Sequence, residues 1–370
     1  GNEMYKNYSI NYLKILINKR LFVVAVLLNF GFSQVEFTAH VISNSADGAH
    51  NAYVDDVDGD GDMDVLSVAH FSGEIAWYEN DGSENFIEHT IATNCNSARS
   101  VRTGDLDGDG DKDVVSACQG GKVAWYKNDG SENFTEHVLS TSAHSPFSVR
   151  VADVDNDGDM DVLSGALQNH GSGISTFQVV WYKNNGSGSF TSHGVSNTSR
   201  FTKKIDAADI DGDGDLDVLS MNHFDDTITW HENDGNEPFT EHVISNNADA
   251  PFTVHAADVD GDGDMDVLSA SEYDDTVAWY DNDGSGNFTE YTISTSANNA
   301  NYVHTADMDL DGDMDVLSSS NHDDKIAWYE NDGNQNFTEH VINISETNTD
   351  PWSVHAADID GDGDMDVVTS

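Results

Sequence analysis

One acidic motif recurs seven times along the chain, and its spacing constrains the fold more than any other feature. "DVDGDGDMDVLS" begins at Asp56, and close variants begin at Asp105, Asp153, Asp209, Asp258, Asp307 and Asp358. The intervals are 49, 48, 56, 49, 49 and 51 residues. Self-similarity at a near-constant period of this size marks a solenoid, a propeller or an array, in which no unit buries its own apolar faces. Each unit carries four short stretches: one like "FTVHAA", then "DVLS" directly after the acidic loop, then "TVAWYDNDG", and last "NFTEYTIS". They are rich in Val, Ile, Thr and aromatics and are separated by Gly, Asn and Asp, which predicts four antiparallel strands, A to D. The "NDG" between the last two is a hairpin turn signal.

A small sheet with two apolar faces needs a neighbour on each side. Stacking the units face to face around an axis meets that need, so the expected fold is all-β, a seven-bladed β-propeller of four-stranded antiparallel blades. Trp77, Trp125, Trp181, Trp230, Trp279 and Trp328 hold one position in strand C. An aromatic in register in each blade suits a core between blades, with a sugar platform as the alternative. "EFTAHVIS" (36–43) reads as a strand D placed to close the last blade. The seventh unit supplies strands A and B, but "AWYEN" for strand C does not follow. The last blade therefore reads as incomplete and the chain as cut within it. Residues 34–370 are assigned to the propeller and residues 1–33 to a signal peptide. Lys14, Lys19 and Arg20 precede an apolar run of twelve residues, 21–32. Such a run is short for a bilayer span and suits an export signal cleaved near Ser33, an uncleaved anchor being the alternative. The mature chain is then expected outside the cell, secreted or at the surface, without membrane insertion. Cys95 and Cys118 leave two readings open, a disulfide or two partly buried thiols.

The acid is placed rather than scattered. The chain has 15 Lys+Arg against 68 Asp+Glu, a formal net charge of -53, which argues against nucleic acid and anionic membrane surfaces as partners. Aspartate fills positions 1, 3, 5, 7 and 9 of every loop. In 56–64 these are Asp56, Asp58, Asp60, Asp62 and Asp64; in 105–113, Asp105, Asp107, Asp109, Asp111 and Asp113. In 153–161 they are Asp153, Asp155, Asp157, Asp159 and Asp161; in 209–217, Asp209, Asp211, Asp213, Asp215 and Asp217. In 258–266 they are Asp258, Asp260, Asp262, Asp264 and Asp266; in 307–315, Asp307, Asp309, Asp311, Asp313 and Asp315. The last loop, 358–366, has Asp358, Asp360, Asp362, Asp364 and Asp366. Alternate carboxylates with Gly at position 6 are the oxygen-rich arrangement that calcium takes, position 7 offering its backbone carbonyl. Position 12 is Ser or Thr, never Glu, and a strand follows, so these are not EF-hands. About seven structural Ca2+ sites are expected, with magnesium disfavoured because it keeps its waters.

"DVDGDGDMDVLS" followed by "IAWYENDG" resembles the FG-GAP/VCBS repeat family, whose relatives include the integrin α-subunit propellers. The resemblance covers about 36–370. It implies a seven-bladed propeller with calcium in the A–B loops, and ligands on the opposite face or between blades.

Two features point to that opposite face. From the position-12 Ser to the strand-C Trp is 9 or 10 residues in five units but 17 in the third, within "GALQNHGSGISTFQ". An insertion there reads either as a binding loop or as a tolerated one. Three residues before each loop stand Tyr53, Arg102, Arg150, Asp206, His255, His304 and His355, a candidate ligand ring around the channel that could equally hold only water. The B–C pairs ending in Phe71, Phe224, Tyr273 and His322 add aromatic and polar groups. The strand-D histidines have no tight zinc spacing. No nucleophile elbow, P-loop or dinucleotide fingerprint occurs, so no enzyme activity is expected. The leading reading is an exported, calcium-stabilised module for adhesion, binding a glycan or an extracellular protein. The alternatives are the non-catalytic propeller of a larger polysaccharide-active enzyme, or a scaffold in a surface assembly.

Overall fold

The computed structural model describes residues 21–27, 36–83, 85–167, 178–198, 201–235, 238–342 and 350–370, and among them there is no helix. The chain folds as a β-propeller in which six blades are four-stranded antiparallel sheets built from consecutive strands. In the first, strands Ala49–Asp55, Glu74–Asn80 and Phe86–Ala92 flank and follow Asp64–Ala69 in the order A-B-C-D. Burial decides which strand lies where. All six residues of Asp64–Ala69 are buried, whereas Phe86–Ala92 is exposed or half-buried throughout. The apolar strands therefore line the axis and strand D, with its Glu and His, faces solvent. Each strand A lies beside the strand A of the next unit, and Val354–Ala357 lies beside Ala49–Asp55, so the circle of inner strands closes.

A further sheet combines the two chain ends: Val354–Ala357 pairs with Asp366–Thr369, which pairs with Leu21–Leu27, which pairs with Glu36–Ser43. The last unit contributes two strands, as the incomplete blade read from the sequence implies, and Leu21–Leu27 takes the place of its strand C. This gives a strand to a segment assigned above to the signal peptide. The physical reason is the backbone. Without a middle strand, Asp366–Thr369 and Glu36–Ser43 each present an unpaired edge, and a Val-rich run satisfies both at once.

The cores lie between blades. Trp279 packs with Leu268 of its own blade and with Val303, Val316 and Tyr329 of the next, and Trp328 packs with Val354 and Val367. All six strand-C tryptophans are at most 5% exposed, which excludes the sugar-platform alternative. Burying about 200 Å² of each is worth roughly 5 kcal/mol before entropy. Across the sheet Trp77 stands opposite His89 and the rings stack at 4.5 Å; Trp125–His137, Trp230–His242, Trp279–Tyr291 and Trp328–His340 repeat the pair. His89, His242 and His340 also bond Glu79, Glu232 and Glu330 at 2.6–2.7 Å, so the strand-D histidines are structural cross-strand partners. Cys95 and Cys118 form a disulfide with Cα atoms 5.0 Å apart, inside the core between the first two blades.

Candidate functional site

The acidic loops sit where strand A turns into strand B, and their carboxylates have divided duties. Asp56 accepts backbone N–H bonds from Gly59 and Gly61, Asp58 one from Asp60, and Asp60 one from Asp62. These local bonds fold the loop so that oxygens of Asp56, Asp58 and Asp64 lie within 4.8 Å of one another. The same holds for Asp105, Asp107 and Asp113, for Asp153, Asp155 and Asp161, and for Asp209, Asp211 and Asp217. An all-oxygen set of three carboxylates at positions 1, 3 and 9 fits a hard divalent cation. The position-7 side chains do not join them. Asp62 lies against Gly82 of the C–D turn, where a Cβ would come within 2.4 Å of its carboxylate. Position 7 is left with its backbone carbonyl, and the turn is held to glycine.

Position 9 has a second duty that the sequence did not reveal. Asp64 is fully buried; one oxygen accepts the Val57 N–H at 2.9 Å and the other the Asn80 N–H at 2.8 Å, tying the loop to strand C. Asp113, Asp161, Asp217, Asp266 and Asp315 repeat both bonds. Burial pushes these carboxyls up, to about 6 for Asp64 and about 7 for Asp113. Among the described residues Asp366 accepts the Ile359 N–H alone, and burial pushes it to about 8.

The asparagine closing strand C was also missed. The Asn282 amide donates to the Met265 carbonyl of its own loop at 3.0 Å and to the Ile210 carbonyl in the preceding blade at 2.7 Å. Asn80 reaches Ile359 in the same way, as do Asn184 to Leu106, Asn233 to Val154 and Asn331 to Val259. The signal was present as the Asn three residues after each strand-C Trp, but its target lies 72 to 79 residues away, and 279 for Asn80. A further difference between units sits one residue earlier. Lys127 bonds Asp107 and Asp109, and Lys183 bonds Asp155 and Asp157, where the other complete blades place Glu79, Glu232, Asp281 and Glu330.

The seven ring residues three before each loop do converge on the axis. Arg102 lies 4.6 Å above the Tyr53 ring; Arg150 pairs with Asp206 at 3.0 Å; and Asp206 bonds His255 at 2.9 Å. His255 and His304 are 5.3 Å apart, His304 and His355 4.8 Å, and His355 and Tyr53 5.7 Å. Arg150 and His255 hold the Asp206 carboxyl well below the usual range despite its burial, and burial pushes His304 and His355 well below theirs.

One turn outward, at the face opposite the acidic loops, the channel opens into an aromatic rim. His50 stacks on Trp352 at 4.9 Å, Phe147 meets His50 at 5.5 Å and Phe252 at 6.1 Å. Lys203 lies 3.7 Å above the Phe252 ring and pairs with Glu272 at 3.0 Å. The D–A and B–C connections share this face, since the His70 N–H bonds the Gly48 carbonyl. Phe71, Phe224 and Tyr273 stand on it 58–67% exposed. Residues 168–177 of the blade-three insertion lie outside the described residues.

The chain is similar in fold to several solved structures. A lectin of Agrocybe aegerita, described as recognising non-reducing terminal N-acetylglucosamine, is 17% identical with a TM-score of 0.60, over 95% of this chain and 96% of that one. BBS1N, solved in complex with ARL6DN, is 11% identical with a TM-score of 0.59, over 88% and 94%. A catalytically inactive virginiamycin B lyase from Staphylococcus aureus with quinupristin is 14% identical with a TM-score of 0.55, over 94% and 99%. No curated protein matches the chain significantly. FG-GAP-like repeats match at 56–116, 105–164, 169–220, 217–269, 258–318 and 307–369. With the motif spread over most of its length, the chain belongs to the FG-GAP-like repeat family.

Proposed function

We propose that this protein is an exported, calcium-stabilised propeller of seven blades that works as a binding module, taking a glycan or an extracellular protein on the face opposite its acidic loops. The observation that carries the reading is the contrast between the two faces. One repeats the same five aspartates seven times, which suits a uniform structural ion. The other varies from blade to blade around one axial opening, with exposed aromatics beside it. Exposed aromatic rings at a concave rim give a ligand apolar contact and leave specificity to a few polar groups. The Agrocybe lectin supports the glycan reading and BBS1N the protein reading, as propellers of like fold with such partners. No catalytic role is assigned, because the carboxylates of the loops are committed to backbone bonds and to metal.

In this reading Asp56, Asp58 and Asp64, and their counterparts, hold calcium, which cancels the repulsion between them. Export with cleavage near Ser33 removes Leu21–Leu27 from the last sheet and leaves its place to another strand. The mass of the protein recovered from culture medium tests this directly: a chain retaining residues 21–27 overturns the cleavage. The binding reading is tested by screening the folded protein on a glycan array in about 5 mM calcium, above the range expected for extracellular sites, and in chelator. Calcium-dependent binding to a defined sugar supports it. A folded protein that binds no glycan, and no protein from the surface it is exported to, overturns it.

A further inference from the structure

The strongest unexplained feature is a concentration of cations in an acidic protein. Five of the fifteen Lys and Arg residues, Arg99, Arg102, Arg150, Lys203 and Lys204, gather at the inner strands near one mouth of the channel. Among the described residues two of the five are ion-paired, Arg150 with Asp206 and Lys203 with Glu272. The other three are not. Arg99 donates to the Gln119 amide oxygen at 2.8 Å, Lys204 to the Tyr302 hydroxyl at 2.8 Å, and Arg102 to Asn51, to its own strand and to Tyr302.

These groups surround one small cavity of about 20 Å³, open at its outer mouth. Every residue lining it lies five or six positions before an acidic loop, and all seven units contribute at least one, so the cavity is on the axis. Its wall holds unsatisfied polar groups. His50 is only 7% exposed, and among the described residues neither ring nitrogen makes a hydrogen bond of ordinary geometry, the Arg99 backbone being the nearest partner. Just below, Arg102 is 4% exposed and its Nε has no hydrogen-bond partner among them. Buried donors and unpaired cations are costly unless a ligand completes them.

We propose that this axial cavity binds an oxyanion, a carboxylate or sulfate carried on a sugar ring. The inference rests on the binding-module reading and names the ligand class for its face. The anion would sit among Arg99, Lys204 and His50, at the mouth that Phe147, Phe252 and Trp352 border. The protein's large negative charge does not prevent this. Strand A is seven residues long, so the acidic loops lie about 20 Å from the mouth, more than two screening lengths away at physiological salt.

The test is calorimetric titration with glucuronate, inorganic sulfate and glucose at constant ionic strength. The proteins are the wild type, the double variant Arg99→Gln/Lys204→Gln, and Lys325→Gln on the outer strands as a control. Removing two buried cations relieves a desolvation cost, so the double variant is expected to fold; its melting temperature and calcium titration verify that. Glucuronate binding that falls at least tenfold in the double variant, with glucose silent, supports the proposal. Sulfate binding without glucuronate binding also supports the anion site but overturns the sugar carboxylate. If neither anion binds, or the double variant binds as well as wild type, the site is refuted. Neutral glycans bound on the array by both proteins would then leave the binding-module reading standing by itself.

Discussion

Removing calcium is expected to lower the melting temperature by about 19 °C. The magnitude follows from the loops themselves. Three carboxylates with oxygens within 4.8 Å of one another repel by about 0.9 kcal/mol per pair even at the dielectric constant of water, so about 2.6 kcal/mol per loop. An ion present at 100 times its dissociation constant contributes about 2.7 kcal/mol per site, a similar figure reached independently. In two loops Lys127 and Lys183 already offset the repulsion, and the other five sum to about 13 kcal/mol. A propeller of this size unfolds with an entropy of about 0.7 kcal/mol per kelvin, which converts that sum to the stated shift. The assay is differential scanning calorimetry of one preparation in calcium, in magnesium and in chelator, at constant ionic strength. Magnesium should recover only part of the loss, since it keeps its waters and suits fewer protein oxygens. A shift under about 5 °C would mean that the loops are held by their Asx-type backbone bonds alone, and the calcium assignment would be refuted.

Other expectations are smaller and local. Opening the disulfide with Cys95→Ser/Cys118→Ser frees a separation of 23 residues and should cost about 3.4 kcal/mol, or roughly 5 °C, by the same calorimetry. Asn282→Ala removes the donor shared by the Met265 and Ile210 carbonyls and should cost about 2–4 kcal/mol in denaturant unfolding; Asn282→Asp, which cannot donate, should do no better. Trp279→Ala leaves a cavity between two blades and should cost about 3–5 kcal/mol, with sugar binding unaffected in the surviving folded fraction. Burial lowers Lys203 and Lys204 from 10.5 to about 8. Their contribution to stability is therefore present above pH 10.5 and lost as pH falls through about 8. Lys204→Met should flatten the rise in unfolding free energy between pH 7 and 9.5, and an unchanged slope would show that Lys204 is not desolvated.

Much of this was legible in the sequence because it repeats. The period, the Asp columns and the Trp column each state one structural fact several times over, and a core built between identical units needs little else. What stayed hidden depends on neighbours. Asn80 and Ile359 are 279 residues apart, and only closure of the circle brings them within 2.8 Å. The seven residues three before each loop were readable as a ring, yet the cavity lies two and three positions further out. There the strand carries a bulge, between Ala49 and Asn51 in the first blade, so alternation no longer tells which side a residue faces. Nothing in the sequence therefore marks Arg99, Lys203 and Lys204 as neighbours until seven strands are set side by side. The place of Leu21–Leu27 was hidden for another reason: an apolar run of that length serves an export signal and a sheet strand equally well.

The asparagine bonds carry a consequence for how such a protein changes over generations. Each one is donated by one unit and accepted in the unit before it, so no single repeat contains both halves of the contact. A repeat that duplicates in tandem brings a donor for its predecessor and an acceptor for its successor, and enters the circle with every bond made. A repeat imported without its terminal asparagine would instead leave two carbonyls bare in two different units. Lengthening or shortening by whole copies is the tolerated change, and the register of the copy, rather than its surface, is what selection must guard.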